Sequence, residues 1–480
     1  MQRREATVTP EGWLSRGEAY VSGDGVQLAV FGGIPGERAR IRFLGRGTDI
    51  GAGGSVRRVA ARWIAPGGPT SPHRVSPSCA RWASCGRCRL MHLDPAGQVA
   101  ARDSLWHEAF GGGAPAECGP AAPTADALHA LTLTAGRSDT GRPRLGYEGL
   151  AGVVPIPDCP VVVPELRHLM AIAAHAMLEQ ELRPADARGG AFRGVVARRA
   201  LSSQDLLLTL VFTRAVPFAR PYAEALASVP GTIGVLAHWN ENPGRLLAPG
   251  ADVSSLQGKP YLEERVDDGS GKVLKVRVGA ADPWFDTLAA RDAHLRAVEA
   301  LGAESGDAVA DIGCGLGMRT LLLARRAGWA LGVESAPGVI DRARQSASAD
   351  ASAAEFETVA PRTGDDAAEE TLTDVLARVS PRLAGRRPRL IVDTGTRGLD
   401  AAVRAQLVAL DPRRVVLLGT NPRALARDAT ALVHAGKLVR GHAETRDVDP
   451  HTPFAQGLVV LDSTDTSAPA KRAPRRMLAR

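Results

Sequence analysis

The sequence predicts an α/β protein in three parts: a small OB-like β-barrel at the N-terminus, an α+β central domain built around a cysteine cluster, and a C-terminal doubly wound, Rossmann-like domain. Three observations carry this. Residues 12 to about 65 are short alternating segments broken by glycines. Cys79, Cys85 and Cys88 crowd one loop. From about residue 282 onward, strand-like and helix-like segments alternate, the rhythm of a parallel sheet with crossover helices.

The barrel is expected over 1–65, from GEAYVSGDG, VQLAVFGGIPGERARIRFLG and SVRRVAARWI. The Pro/Ser stretch APGGPTSPHRVSPS then marks a boundary near residue 66. The central domain, 66–280, holds the cysteine loop and a linker at 111–127. It also holds β-like runs (DLLLTLVFTRA, VLKVRVG) and one helical run, PELRHLMAIAAHAMLEQEL. The doubly wound domain, 281–463, runs through AVADIG, MRTLLLARRAG, WALGVE, PGVIDRARQSA, RLIVD, RRVVLLG and PRALARDATALVHAG. A polar, basic tail closes the chain at 464–480 and is expected to be disordered.

Composition narrows the class. The chain has 480 residues, long enough for several packed domains. No apolar run approaches the length of a membrane span, and the charged start lacks a secretory apolar stretch, so the expectation is a cytoplasmic protein without a membrane partner. Six cysteines are too few and too clustered for a secreted disulfide scaffold. The net charge is +7, from 59 Lys+Arg against 52 Asp+Glu, and the basic residues are almost all arginine. Arginine suits phosphate and base stacking, although the Ala/Arg/Gly bias also fits a GC-rich genome.

The segment AVADIGCGLGMRTLLLA places Asp311 at a strand end, Gly313, Gly315 and Gly317 in the following turn, and a helix directly after it. Glycines there let the backbone approach a ligand where side chains would collide. Glu334, at the end of the next strand, can accept hydrogen bonds from both hydroxyls of a ribose. The turn lacks G-x-G-x-x-G spacing, which favours S-adenosylmethionine over a dinucleotide. Cys314, inside the loop, reads as a small packing residue.

In the cysteine cluster, Cys79, Cys85 and Cys88 share a compact loop, and Cys159 follows much later in IPDCPVVVP. Four thiolates so arranged can hold a four-iron cluster. Tetrahedral zinc could use the same set, or recruit His73 or His92. The spacing is not that of radical S-adenosylmethionine enzymes, so the expected role is structural or RNA-facing.

Together these residues resemble the RNA uracil-C5 methyltransferases that carry an N-terminal TRAM domain and a four-iron cluster. The resemblance rests on GGIPGERARIRF (32–43), CGRCRLMHLDPAGQ (85–98), IPDCPVVVP (156–164), DIGCGLG, TNPRALARD (420–428) and DPHTPFAQ (449–456), in that order along the chain. It implies a TRAM barrel that grips ribosomal or transfer RNA, a [4Fe-4S] cluster on Cys79, Cys85, Cys88 and Cys159, and a monomer. It further implies an S-adenosyl-L-methionine pocket formed by Asp311, Gly313, Gly315, Gly317, Glu334, Asp286 and Asp393, which a target base would enter by flipping out of its stack.

The departures from the family converge on its catalytic centre. The cysteine that adds to C6 of uracil aligns with Thr420, in Gly419-Thr420-Asn421-Pro422, and no cysteine follows Cys314. The glutamate that removes the C5 proton aligns with Gln456, an amide that cannot accept it. The aspartate-proline-proline-arginine segment reads Asp393-Thr394-Gly395-Thr396, and the phenylalanine-glutamine-valine-asparagine segment reads Phe285-Asp286-Thr287-Leu288. Losing members of a cooperative catalytic unit costs orders of magnitude in rate. Two functions follow from these features: methyl transfer to an RNA atom that needs no cysteine adduct, or a catalytically silent relative that binds RNA.

Overall fold

The computed structural model describes residues 5–23, 25–44, 57–111, 117–118, 123–150, 152–216, 219–242, 244–359 and 371–465. Most of the basic tail, from residue 466, lies outside them, as do parts of the linker and the side chain of Cys118. The chain forms two compact units. The first comprises 1–264, 278–293 and 445–456; the second comprises 265–277, 294–444 and 457–480.

The first unit begins with a six-stranded sheet in the order Glu5–Val8, Ala39–Phe43, Arg57–Pro66, Val26–Phe31, Ala19–Gly23, Gly12–Trp13. The expected barrel is thus present as a sheet whose two end strands are not paired with each other among the described residues. Alternation decides its faces. Ala39 and Ile41 point into a core with Val30 and Ala61, while Arg40 and Arg42 point outward and hold Glu5 at 3.3 and 2.7 Å.

A seven-stranded sheet follows, in the order Gly152–Val154, Pro143–Gly149, Ala130–Arg137, Phe192–Arg199, Leu206–Phe212, Thr232–Trp239, Ser254–Gly258. Leu206–Phe212 is buried along its whole length, which explains why it is apolar except at Thr209. It pairs in parallel with Thr232–Trp239, and the helix Ala219–Ala227 makes the crossover. That helix meets Pro164–Glu179, where Tyr222 donates to the Ala173 carbonyl at 3.0 Å.

In the second unit, the strands Ala354–Thr358, Ala330–Glu334, Val309–Ile312, Arg389–Asp393 and Arg414–Gly419 lie side by side and parallel. The last of them is flanked by Gly457–Asp462, which runs antiparallel to it. Strand order reverses beside Val309–Ile312, the first of these strands in sequence. In open α/β sheets, ligands bind at the carboxyl ends on either side of such a reversal. Asp311 and the glycine turn stand on one side of it here, and Asp393 on the other.

Candidate functional sites

The glycine turn is shaped by its neighbours. Gly313 and Gly317 have φ of 74° and 80°, a backbone region that L side chains rarely adopt. A Cβ on Gly313 would come 3.1 Å from that of Asp393, and one on Gly317 would strike the Phe356 ring at 2.6 Å. Gly317 is therefore needed for packing, whereas Gly313 keeps the passage between two strand ends narrow. Glu334 is half-buried. Its Oε2 accepts from the Gly315 amide at 3.0 Å, and its Oε1 accepts from the Ser335 amide at 2.7 Å and hydroxyl at 3.0 Å.

Asp311 is wholly buried, and both its oxygens are engaged within the chain. Thr320 donates to Oδ2 at 2.9 Å, and Arg319 Nε donates to Oδ1 at 3.0 Å. Arg319 also lies 3.5 Å from Asp393 Oδ2, while Asp393 Oδ1 accepts from the Gly395 amide at 3.0 Å. Sequence reasoning missed Arg319 and its partner His294. The available signal was an arginine in the first turn of the helix that follows an acidic strand end.

Thr420 ends the strand Arg414–Gly419 and is half-buried. No base among the described residues hydrogen-bonds its hydroxyl. The adjacent Asn421 caps the helix Pro422–His434, accepting from the Arg423 amide at 3.1 Å, and donates to the Thr396 carbonyl at 2.8 Å. Cys314 is buried. Burial first, then the negative charges of Asp311 and Glu334, push its thiol pKa far up, so it is a packing residue and not a waiting thiolate.

Asp286 and Gln456 belong to the first unit. Asp286 lines a cavity of about 1180 Å³ together with Arg87, Arg198, Asp449, Trp284 and Phe454. Burial raises its carboxyl pKa and Asp449 adds to this, while Arg198 and Arg87 oppose it. Nε and Nη1 of Arg198 are buried without a partner, and Arg87 holds Asp449 at 2.5 Å. Gln456 is buried near the start of the strand Ala455–Ser463.

The four cysteines come together. Cys79, Cys85, Cys88 and Cys159 line one cavity of about 30 Å³ beneath Trp82 and Tyr147. The four-residue helix Trp82–Cys85 stops at Gly86, which is left-handed at φ 70°; a Cβ there would collide with Leu150 at 2.6 Å. Trp82 Nε1 then pins the loop by donating to the Cys88 carbonyl at 2.7 Å. Burial and the neighbouring thiols Cys159 and Cys85 push the Cys88 pKa up to about 12, and burial raises Cys85 and Cys159 as well. Burial first, and then mutual repulsion, disfavour the thiolate forms, and a bound cation would oppose both. As placed, no three or more Cys, His, Asp or Glu side chains among the described residues stand in ligating geometry. His73 and His92 are engaged elsewhere: His73 with Asp94 at 3.1 Å, His92 with the Gly33 carbonyl at 3.1 Å.

Comparison with known proteins completes this description. The fold is mixed α/β. It matches the tRNA (uracil-54, C5)-methyltransferase of Pyrococcus abyssi with a TM-score of 0.69 at 18% identity, over 95% of this chain and all of that one. In sequence the chain is 27% identical to the 23S rRNA (uracil(1939)-C(5))-methyltransferase of Alkalilimnicola ehrlichii, over 96% of this chain and 97% of that protein. It is also 28% identical to an uncharacterized RNA methyltransferase of Gloeobacter violaceus, over 90% of each. No family model matches. Over nearly its whole length the chain is thus similar to RNA uracil-C5 methyltransferases, and no cysteine follows Cys314 in it. Among the described residues, no helix is long and apolar enough to cross a membrane.

Proposed function

We propose that this chain is an RNA methyltransferase homologue that binds S-adenosyl-L-methionine at the glycine turn and acts on ribosomal or transfer RNA as a cytoplasmic monomer. Transfer would go to an atom nucleophilic enough to need no cysteine adduct, such as a ring nitrogen, an exocyclic amine or a ribose hydroxyl. The supporting observation is the turn itself: Gly313 and Gly315 lie at the strand reversal, with Glu334 placed 3.0 Å from the Gly315 amide. Glu334 supplies the acceptors a ribose diol requires, so the nucleoside end of the donor fits these residues. When bound, the donor supplies the methyl group. The chain's part is to hold the adenosine on Glu334 and to exclude water with the buried strand ends. The cavity of the first unit, lined by arginines that include Arg87 and Arg198, offers contacts for the RNA.

Cys79, Cys85, Cys88 and Cys159 would hold a [4Fe-4S] cluster, with zinc as the competing occupant of the same thiols. Its contribution would be structural: it would tie the loop 79–88 to the start of the segment that leads into the helix Pro164–Glu179.

The second reading, a silent RNA-binding relative, is favoured by Thr420 standing without a base and by Gln456 at the family's base position. Incubating the purified protein with labelled S-adenosylmethionine and total RNA from a strain lacking it separates the two. Label on a defined nucleotide eliminates the silent reading. RNA and donor binding without transfer eliminates the enzyme.

A further inference from the structure

The donor site has already been given a cation by its own chain. Arg319, the second residue of the helix Met318–Ala327, has a side chain only 4% exposed. Its guanidinium reaches the acceptors around the glycine turn. Nε and Nη2 lie 3.0 and 2.9 Å from Asp311 Oδ1, and Nη2 donates to the Gly313 carbonyl at 2.6 Å. Nη1 donates to His294 Nδ1 and lies 3.5 Å from Asp393 Oδ2. A guanidinium has five N–H donors and no acceptor; here it makes hydrogen bonds to Asp311, the Gly313 carbonyl and His294, and ion pairs with Asp311 and Asp393. Thr320 takes the remaining oxygen of Asp311 at 2.9 Å.

Two carboxylates and one permanent cation leave a single net negative charge where the two carboxylates alone would leave two. A buried, hydrogen-bonded ion pair does not reopen cheaply, because releasing one partner strands the other without water. S-adenosylmethionine carries two positive centres, its sulfonium and the ammonium of its amino-acid arm. Beside Gly313, Asp311 Oδ1 and the Gly313 carbonyl already accept from Arg319 and Asp393 is ion-paired with it, whereas Glu334 accepts from the uncharged donors of Gly315 and Ser335 and keeps its charge for the ribose end.

We propose that Arg319 is a specificity-determining residue that cancels recognition of the donor's ammonium, so that the site selects the adenosine moiety and takes neutral adenosine thioethers as readily as S-adenosylmethionine. This rests on the adenosyl-binding reading given above. It adds that the amino-acid arm is weakly held.

Titration calorimetry on the full chain with S-adenosylmethionine, S-adenosylhomocysteine and 5′-methylthioadenosine tests it. The last ligand lacks both the ammonium and the sulfonium. The wild type should bind all three with Kd values within about threefold, since no charge-assisted bond to the arm distinguishes them. In Arg319→Met the two ligands bearing the arm should gain about tenfold or more over 5′-methylthioadenosine, the worth of one charge-assisted hydrogen bond. Arg319→Lys keeps a cation and should retain the wild-type ratio. A wild type that prefers the two armed ligands by more than about thirtyfold overturns the proposal, whether or not the variants fold. So does a folded Arg319→Met with an unchanged ratio. If none of the three binds the wild type, the failure lies instead in the adenosyl-site reading beneath it.

Discussion

Thr394 Oγ1 lies 2.5 Å from where a Cβ on Gly419 would stand, so the residue before Thr420 is confined to glycine by a side chain on the neighbouring strand end. The threonine hydroxyl is itself buried without a partner. Gly419→Ser, which would put the family's residue back, should destabilise by about 1–3 kcal/mol through overpacking. Thr394→Ala should relieve most of that loss, giving a favourable coupling in a double-mutant cycle followed by urea unfolding. Additive effects would show that the two positions do not constrain each other.

Thr420 should form no covalent link to RNA. An alcohol without a base is a far weaker nucleophile than a thiol of lowered pKa, and no base hydrogen-bonds this hydroxyl among the described residues. RNA containing 5-fluorouridine, which traps adducts at C6, should therefore give no denaturation-resistant complex with the wild type. Thr420→Cys alone should not produce ordinary turnover, because Gln456 cannot take the C5 proton. A stable wild-type adduct on a gel would refute this account of the pocket.

Protein purified without air should be brown, absorb broadly near about 400 nm and carry roughly four irons per chain. Cys159→Ser should lower the iron content and the melting temperature together, since Cys159 is the remote member of the four thiols around one cavity. A colourless preparation with stoichiometric zinc would overturn the cluster in favour of the simpler ion.

Acid should destabilise the first unit below neutrality. Burial, aided by Arg74, pushes the pKa of His92 down to about 4; burial with Arg199 does the same for His129. Both therefore stay neutral in the folded chain while the unfolded chain binds protons below about 6.5. Stability is fully present above that pH and falls as pH drops from about 6.5 to about 4, by at most about 3 kcal/mol per histidine. His129→Gln should flatten the part of the unfolding-versus-pH curve that belongs to His129. An unchanged curve would mean that His129 does not hold its depressed pKa.

The parallel strands of the second unit were legible because short apolar runs such as LIV (390–392) and VVLL (415–418), alternating with helix-like segments, read as buried parallel strands. The places of Asp311 and Glu334 at strand ends were readable for the same local reason. The N-terminal part was harder: alternation reveals strands, but it does not say which of them pair or whether the last meets the first. The four cysteines could be counted in the sequence, yet only folding placed Cys159 beside the loop 79–88.

By itself, the sequence determined the chemical inventory: which thiols, carboxylates and glycines exist, and that no cysteine follows Cys314. Tertiary structure alone decided how those groups are spent. Arg319 lies next to a glycine turn in any reading of the chain, but its grip on Asp311 and Asp393 depends on two strands brought side by side from residues far apart in sequence. Charge pairing is set by distance in space and by burial, and neither is written in the local order of residues.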